Sequence, residues 1–249
     1  MAVGQGGSGV CRIHRRWTAG HPGDMLGSMV CGLLILVLLN SPLPPGPVPW
    51  PGGEVVYRFD GSVTVAHRRA FAAAAELWAQ GSPVRFREVP DGLGSVGWFL
   101  GLDSTLTVRE DSGLSQFGRT TLGAGRWREM TFNPAQSAPG WLIPDLAHEL
   151  GHVLGLTHEH QRRDRDRYIA FPPGFLDSLP ADRKPDYSVN PNDPPRGEER
   201  PYDYQSLMHY SSNVDGNGLV RRDTGTLVPG AQVPSEGDRQ KLARLYGSP

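Results

Sequence analysis

HELGHVLGLTHEH, residues 148–160, sets four histidines and two glutamates among apolar residues and two glycines. On a helix, positions four apart share a face, so His148 and His152 project side by side. Two imidazoles presented in that way can bind one metal ion, with zinc–nitrogen distances of roughly 2.0 Å. Glu149 adjoins the first of them and is placed to reach a water on the metal rather than the metal itself. It can take that water's proton and so produce a nucleophile at neutral pH. Gly155 follows His152 by three positions, where a residue free to adopt the left-handed conformation can turn the chain back. His158 then arrives as a third ligand from outside the helix. A structural zinc site is closed by four protein ligands, whereas three histidines leave a position for water or substrate.

The remaining sequence restricts the fold. With 249 residues the chain is long enough for one large domain or two lobes with a real core. Its 25 Lys+Arg balance 26 Asp+Glu, so no global charge points to nucleic acid or to an acidic membrane. Both cysteines, Cys11 and Cys31, precede residue 50, and whatever folds after them does so without disulfides or cysteine ligands. Arg12, Arg15 and Arg16 precede the apolar run at 30–39, which has the length of a secretory h-region. That run is too short for a comfortable span of about 20 residues. Residues 1–40 are therefore expected to be a signal or targeting segment, starting at Met1, Met25 or Met29, and the product to be secreted. The alternative is an anchor through 30–39 that is never cut.

After residue 50 an α+β arrangement is expected. EVVYRF (54–59) alternates with Val55, Tyr57 and Phe59 on one side, and VRFREV (84–89), SVGWFLGL (95–102), TLTVRE (105–110) and REMTFNP (128–134) are further strand candidates. HRRAFAAAAELWAQ (67–80) reads as a helix with Phe71, Ala74, Ala75 and Trp78 inward and Gly81 beyond its end. These elements and the motif helix would form a first lobe over about 50–155, a mixed twisted sheet with helices against it. The stretch 161–204 is rich in Arg, Asp and Pro, so the second lobe, about 156–249, should be mostly irregular. A terminal helix over 235–246 capped by Ser235 would close it, with Leu242, Leu245 and Tyr246 inward. Arg162, Arg163, Arg165 and Arg167, interleaved with Asp164 and Asp166, read as a solvated ion network at the lobe junction. His160 and His209 read as packing groups, and His67 has no evident partner.

The full pattern HExxHxxGxxH is the metzincin zinc signature. Glu159 after the third histidine resembles the astacin family, as do YDYQSLMHY (202–210), HEHQRRDRDRYI (158–169), WPGGEVVYRF (50–59) and the helix from Asp238 to Tyr246. The resemblance covers about residues 50–247 and implies a two-lobed zincin-like zinc endopeptidase acting on proteins. It implies that His148, His152 and His158 bind one zinc ion and that Glu149 is the general base and later the general acid. Met208 would lie in a Met-turn beneath the metal, and Tyr210 would be a further zinc ligand that swings away to assist the oxyanion. Glu159 would sit near the processed amino terminus, which alignment of Trp50 puts near Asn40 or Ser41. SQFGR (115–119) resembles the edge strand that holds an extended substrate, and Arg221 or Arg222 could line a pocket for an acidic residue. The chain departs from the family in lacking its disulfides. Other readings are a matrixin-like metzincin, against which Glu159 and SLMHY stand, and an inactive zinc- or peptide-binding module, which the intact Glu149 and ligand set disfavour. Oligomeric state and substrate preference stay open.

Overall fold

The computed structural model of the chain describes residues 47–90, 104–125, 127–191 and 201–247. The strand expected at 95–102, the apolar run at 30–39 and the proposed amino terminus at 40–41 lie outside them. EVVYRF forms β1 (Glu54–Phe59), in which alternate residues, Val55, Tyr57 and Phe59, are buried as the period of two requires. Thr64 accepts the His67 N–H (3.2 Å) and starts α1 (Val65–Ala79). The face of α1 that carries Phe71, Ala74, Ala75 and Trp78 is buried, and Phe71 packs with Tyr57 and Phe59 at ring distances of 4.8 and 5.2 Å. Beyond it Gly81 adopts φ +64° and reverses the chain.

The sheet has the order β2-β1-β3-β5-β4, with β2 (Arg85–Glu88), β3 (Leu106–Glu110), β4 (Gly118–Thr120) and β5 (Arg128–Phe132). Pairings from β2 to β5 are parallel, and only β4 runs antiparallel. Leu106, Val108, Met130 and Phe132 of the inner strands are fully buried. The outer strand β2 is mostly exposed instead, and its Arg85 and Arg87 reach Glu54 on β1 (3.3 and 3.0 Å). Charges of that kind discourage a further strand from adding there. Of SQFGR only Gly118 and Arg119 belong to the strand at the opposite edge, which is shorter and shifted from the expected stretch.

The motif helix α2 (Leu142–Val153) packs on α1, and the Trp78 indole donates to Ala147 O (2.7 Å). Its end is a Schellman reversal: Gly155, at φ +93°, donates to His152 O (2.9 Å) and Leu156 N–H to Gly151 O (2.9 Å). Trp50 ties the start of the domain to this end, its indole donating to Val153 O (2.7 Å).

Beyond residue 156 regular structure is sparse, as the Arg/Asp/Pro-rich composition foretold. It comprises α3 (Phe175–Ser178), α4 (Lys184–Tyr187), the antiparallel pair β6 (Ile169–Ala170) and β7 (Val220–Arg221), and α5 (Glu236–Tyr246). Ser235 and Asp238 form a capping box on α5. The helix returns to the first lobe, where Leu242 joins the main core and the Tyr246 hydroxyl donates to Leu154 O (2.9 Å). Among the described residues no helix is long and apolar enough to cross a membrane.

Gly151 faces Met208 and Trp78, both fully buried. A methyl group there would strike the Met208 sulfur and lie 3.0 Å from Trp78 Cζ2. Removing a mid-helix glycine gains up to about 1 kcal/mol in propensity, but overpacking a closed core costs about 1–3 kcal/mol. Gly151→Ala is therefore expected to be net destabilising in a denaturant titration, and a more stable variant would show that Met208 does not pack as described.

Candidate active site

α2 carries His148 and His152 one turn apart, and the Schellman reversal brings His158 back toward them. The Nε2 atom of His158 stands 3.0 Å from that of His148 and 3.1 Å from that of His152. The opposite ring nitrogens are all engaged. His148 Nδ1 meets Leu207 O (2.7 Å), His152 Nδ1 meets Leu156 O (2.8 Å) and His158 Nδ1 meets the Gln161 side-chain oxygen (2.9 Å). A carbonyl oxygen only accepts, so each Nδ1 carries the proton and each Nε2 presents a lone pair. Burial holds the rings neutral: it lowers His148, helped by the neighbouring His152, to about 4, and lowers His152 and His158 as well.

Three lone pairs so close together repel unless a cation lies among them, and imidazole sets of this kind suit zinc. The donor set thus fits the metal implied by the spacing. Gln161, which orients the third ligand, was not singled out by the sequence reading, although it stands three residues after His158, where a helical turn brings it back.

Glu149 is buried, and its carboxylate accepts a hydrogen bond from the Thr120 hydroxyl on β4. Burial raises this carboxyl, against the lowering effects of His148 and Thr120. Gly118 lies directly across from it: a Cβ there would fall on the carboxylate, 2.7 Å from Glu149 Cγ. No local sequence signal pairs Thr120 or Gly118 with Glu149, because the contact depends on strand β4 meeting helix α2.

The backbone groups of Phe117 and Thr121 bond to β5, through Asn133 N–H to Phe117 O (2.7 Å) and Thr121 N–H to Glu129 O (3.0 Å). Antiparallel alternation then leaves those of Gly118 and Thr120 facing out of the sheet. The Gln116 amide donates to the outward Gly118 O (2.8 Å), and Arg183 of the second lobe donates to Gln116 Oε1 (2.7 Å).

Tyr210 packs beside the histidines, with its ring 4.8 Å from that of His158 and stacked on His160 at 4.2 Å. Burial raises its phenol, which stays protonated. His160 is fully buried, accepts the Tyr210 N–H at Nδ1 (3.3 Å) and meets Asp186 O through Nε2 (2.9 Å). It forms the shelf on which Tyr210 rests. His209, also expected to pack, bonds the Tyr202 hydroxyl (2.8 Å).

Beneath α2, Met208 is fully buried, and its carbonyl accepts the Glu159 N–H (2.9 Å). Glu159 is 1 % exposed and is held by Arg162 (2.7 Å), Lys241 (2.9 Å) and the Asp203 N–H (3.0 Å). The arginine run is consequently not the solvated network expected of it. Arg162 and Arg165 are buried, because Arg162 neutralises Glu159 and Asp164 while Arg165 binds the carbonyls of His160 and Tyr187. His67 also has a partner, Glu110, at 2.7 Å. Arg221 is paired with Asp223 (2.6 Å) and lies over Tyr204, while Arg222 donates to Ile169 O (3.0 Å).

Fold and site together define a zincin-like α+β domain of the metzincin class, with zinc as the metal that its three histidines suit. Residues 139–246 match the family model described as Astacin, a peptidase family, and the chain carries an astacin-family domain. Tolloid-like protein 2 of Mus musculus is 29% identical over 213 residues, which are 80% of this chain and 19% of that protein. Astacin-like metalloendopeptidase of Gallus gallus is 38% identical over 107 residues, 41% of this chain and 25% of that one. The chain thus spans about a fifth of the length of the tolloid relative. Among solved structures, High choriolytic enzyme 1, a hatching enzyme zinc-protease from Oryzias latipes, shares the fold with a TM-score of 0.63 at 18% identity. That likeness covers 82% of this chain and 95% of the other.

Proposed function

We propose that this chain is a zinc-dependent endopeptidase that hydrolyses peptide bonds in proteins. The observation that carries the reading is the placement of the Glu149 carboxylate beside the histidine cluster and against the open edge of β4. Zinc held by His148, His152 and His158 would supply Lewis acidity, polarising a carbonyl and acidifying water.

Glu149 takes one proton from the attacking water as its oxygen joins the carbonyl carbon. It returns that proton to the amine as the carbon–nitrogen bond breaks. A carboxyl raised by burial suits a group that must both accept and release a proton near neutral pH. Tyr210, which stays a phenol, donates to the oxygen on which negative charge develops. Met208 packs under the ligands, Gly155 makes the reversal that delivers His158, and Glu159 braces the loop after it; these three are structural. An extended peptide adds to β4 through the outward groups of Gly118 and Thr120, displacing the Gln116 amide from Gly118 O. The apolar run at 30–39 supports secretion, with the catalytic region beginning near residue 41.

Glu149→Gln is expected to keep one zinc per chain and lose turnover by about 10²–10⁴-fold, the usual weight of general acid–base catalysis. Tyr210→Phe should likewise lower turnover much more than zinc content. Full activity in the glutamine variant removes Glu149 from the chemistry, whereas zinc without activity in the native chain points to a binding module.

Gly118→Ala separates position from stability. The new methyl meets only the far end of the Glu149 side chain, so the fold should survive while the carboxylate is pushed aside. A displacement of about 1 Å costs roughly 10²-fold in rate. Unchanged kcat with unchanged melting temperature would contradict the placement of Glu149 against β4.

A further inference from the structure

The terminal helix α5 begins far along the chain from the histidine motif, yet its third residue reaches that site. Asp238 is fully buried and gathers four donors. One is the Ser235 N–H of the capping box (3.2 Å), an ordinary local bond. The others are the Ser206 hydroxyl (2.6 Å), the Leu207 N–H (2.7 Å) and the Lys241 ammonium (3.0 Å).

Leu207 is the residue whose carbonyl holds His148 Nδ1. Its backbone is therefore clamped on both sides, by Asp238 at the N–H and by the histidine at the oxygen. Lys241 continues from Asp238 to Glu159 Oε2 (2.9 Å), and the Glu159 N–H bonds Met208 O (2.9 Å). Glu159 directly follows His158, so two of the three histidines are tied to one helix by two short paths.

We infer that Asp238 and Lys241 are positioning residues for the zinc ligands. Asp238 fixes Leu207, whose carbonyl sets the tautomer and ring angle of His148. Lys241 locks Glu159 and with it the loop that carries His158. Neither side chain touches metal or substrate. Groups that orient metal-bound imidazoles typically account for 10–100-fold in metal affinity. The inference rests on the reading of the histidine cluster as a zinc site.

The test is the zinc dissociation constant of the full chain, measured by competition with a chromophoric chelator, together with the visible absorption of the cobalt(II)-loaded protein. Asp238→Asn offers a single acceptor oxygen to four donors. It is expected to raise the zinc dissociation constant about 10–100-fold and to shift the cobalt bands. Ser235→Ala removes the helix cap but leaves Asp238; it should lower the melting temperature and leave both metal readouts native. A native dissociation constant and native bands in Asp238→Asn overturn the inference, and so does equal loosening by Ser235→Ala, since helix stability would then explain everything. If Asp238→Asn does not fold, Ser206→Ala decides, because it removes one link between the turn and the helix. A several-fold weaker zinc complex with shifted bands supports the inference, and native values overturn it. A native chain that binds no zinc rejects the site itself, a failure distinct from that of its positioning.

Discussion

Three imidazole nitrogens that present lone pairs to one another are an unfavourable arrangement, and much of the domain serves to maintain it. The protons that would relieve it are committed elsewhere, to Leu207 O, Leu156 O and the Gln161 side chain. Burial removes the other escape, protonation of the rings. What remains is a preformed site for a cation, and its cost is borne by the surrounding core. The Schellman reversal at Gly155 places the third ligand, the 206–208 turn orients the first, and α5 clamps that turn from behind.

The second lobe shows what replaces a conventional core. Its apolar cluster is small, comprising Ile169, Tyr202, Leu219 and Val228 with partly buried aromatic neighbours. No cysteine occurs after Cys31. Order comes from buried ion pairs and ring contacts instead: Arg162 between Glu159 and Asp164, Tyr168 stacked on Tyr202 at 4.6 Å, and His160 under Tyr210. Buried charges hold geometry well only while every partner is present, since a lone buried charge is costly. The same residues that stabilise this lobe therefore also align the site.

Local patterns made much of this legible. The period-two alternation of β1, the inward face of α1 and the capping box of α5 are local, and the structure reproduces them. The histidine spacing was equally readable, because 3.6 residues per turn and one glycine suffice to bring three rings together. Contacts made by tertiary folding left no such trace. Nothing near Thr120 or Gly118 announces Glu149, and nothing near Asp238 announces Leu207. The arginine run misled for the same reason: alternating charges usually lie in solvent, and only the burial of Glu159 shows why Arg162 goes inside.

The central claim is that the histidine cluster holds a zinc ion that makes the chain a peptidase. It is tested most directly by measuring bound zinc and casein cleavage on the same sample of the full chain, before and after chelation. One zinc per chain is predicted, with cleavage abolished by the chelator and restored by added zinc. A folded chain without zinc, or cleavage that persists after the metal has gone, would contradict it.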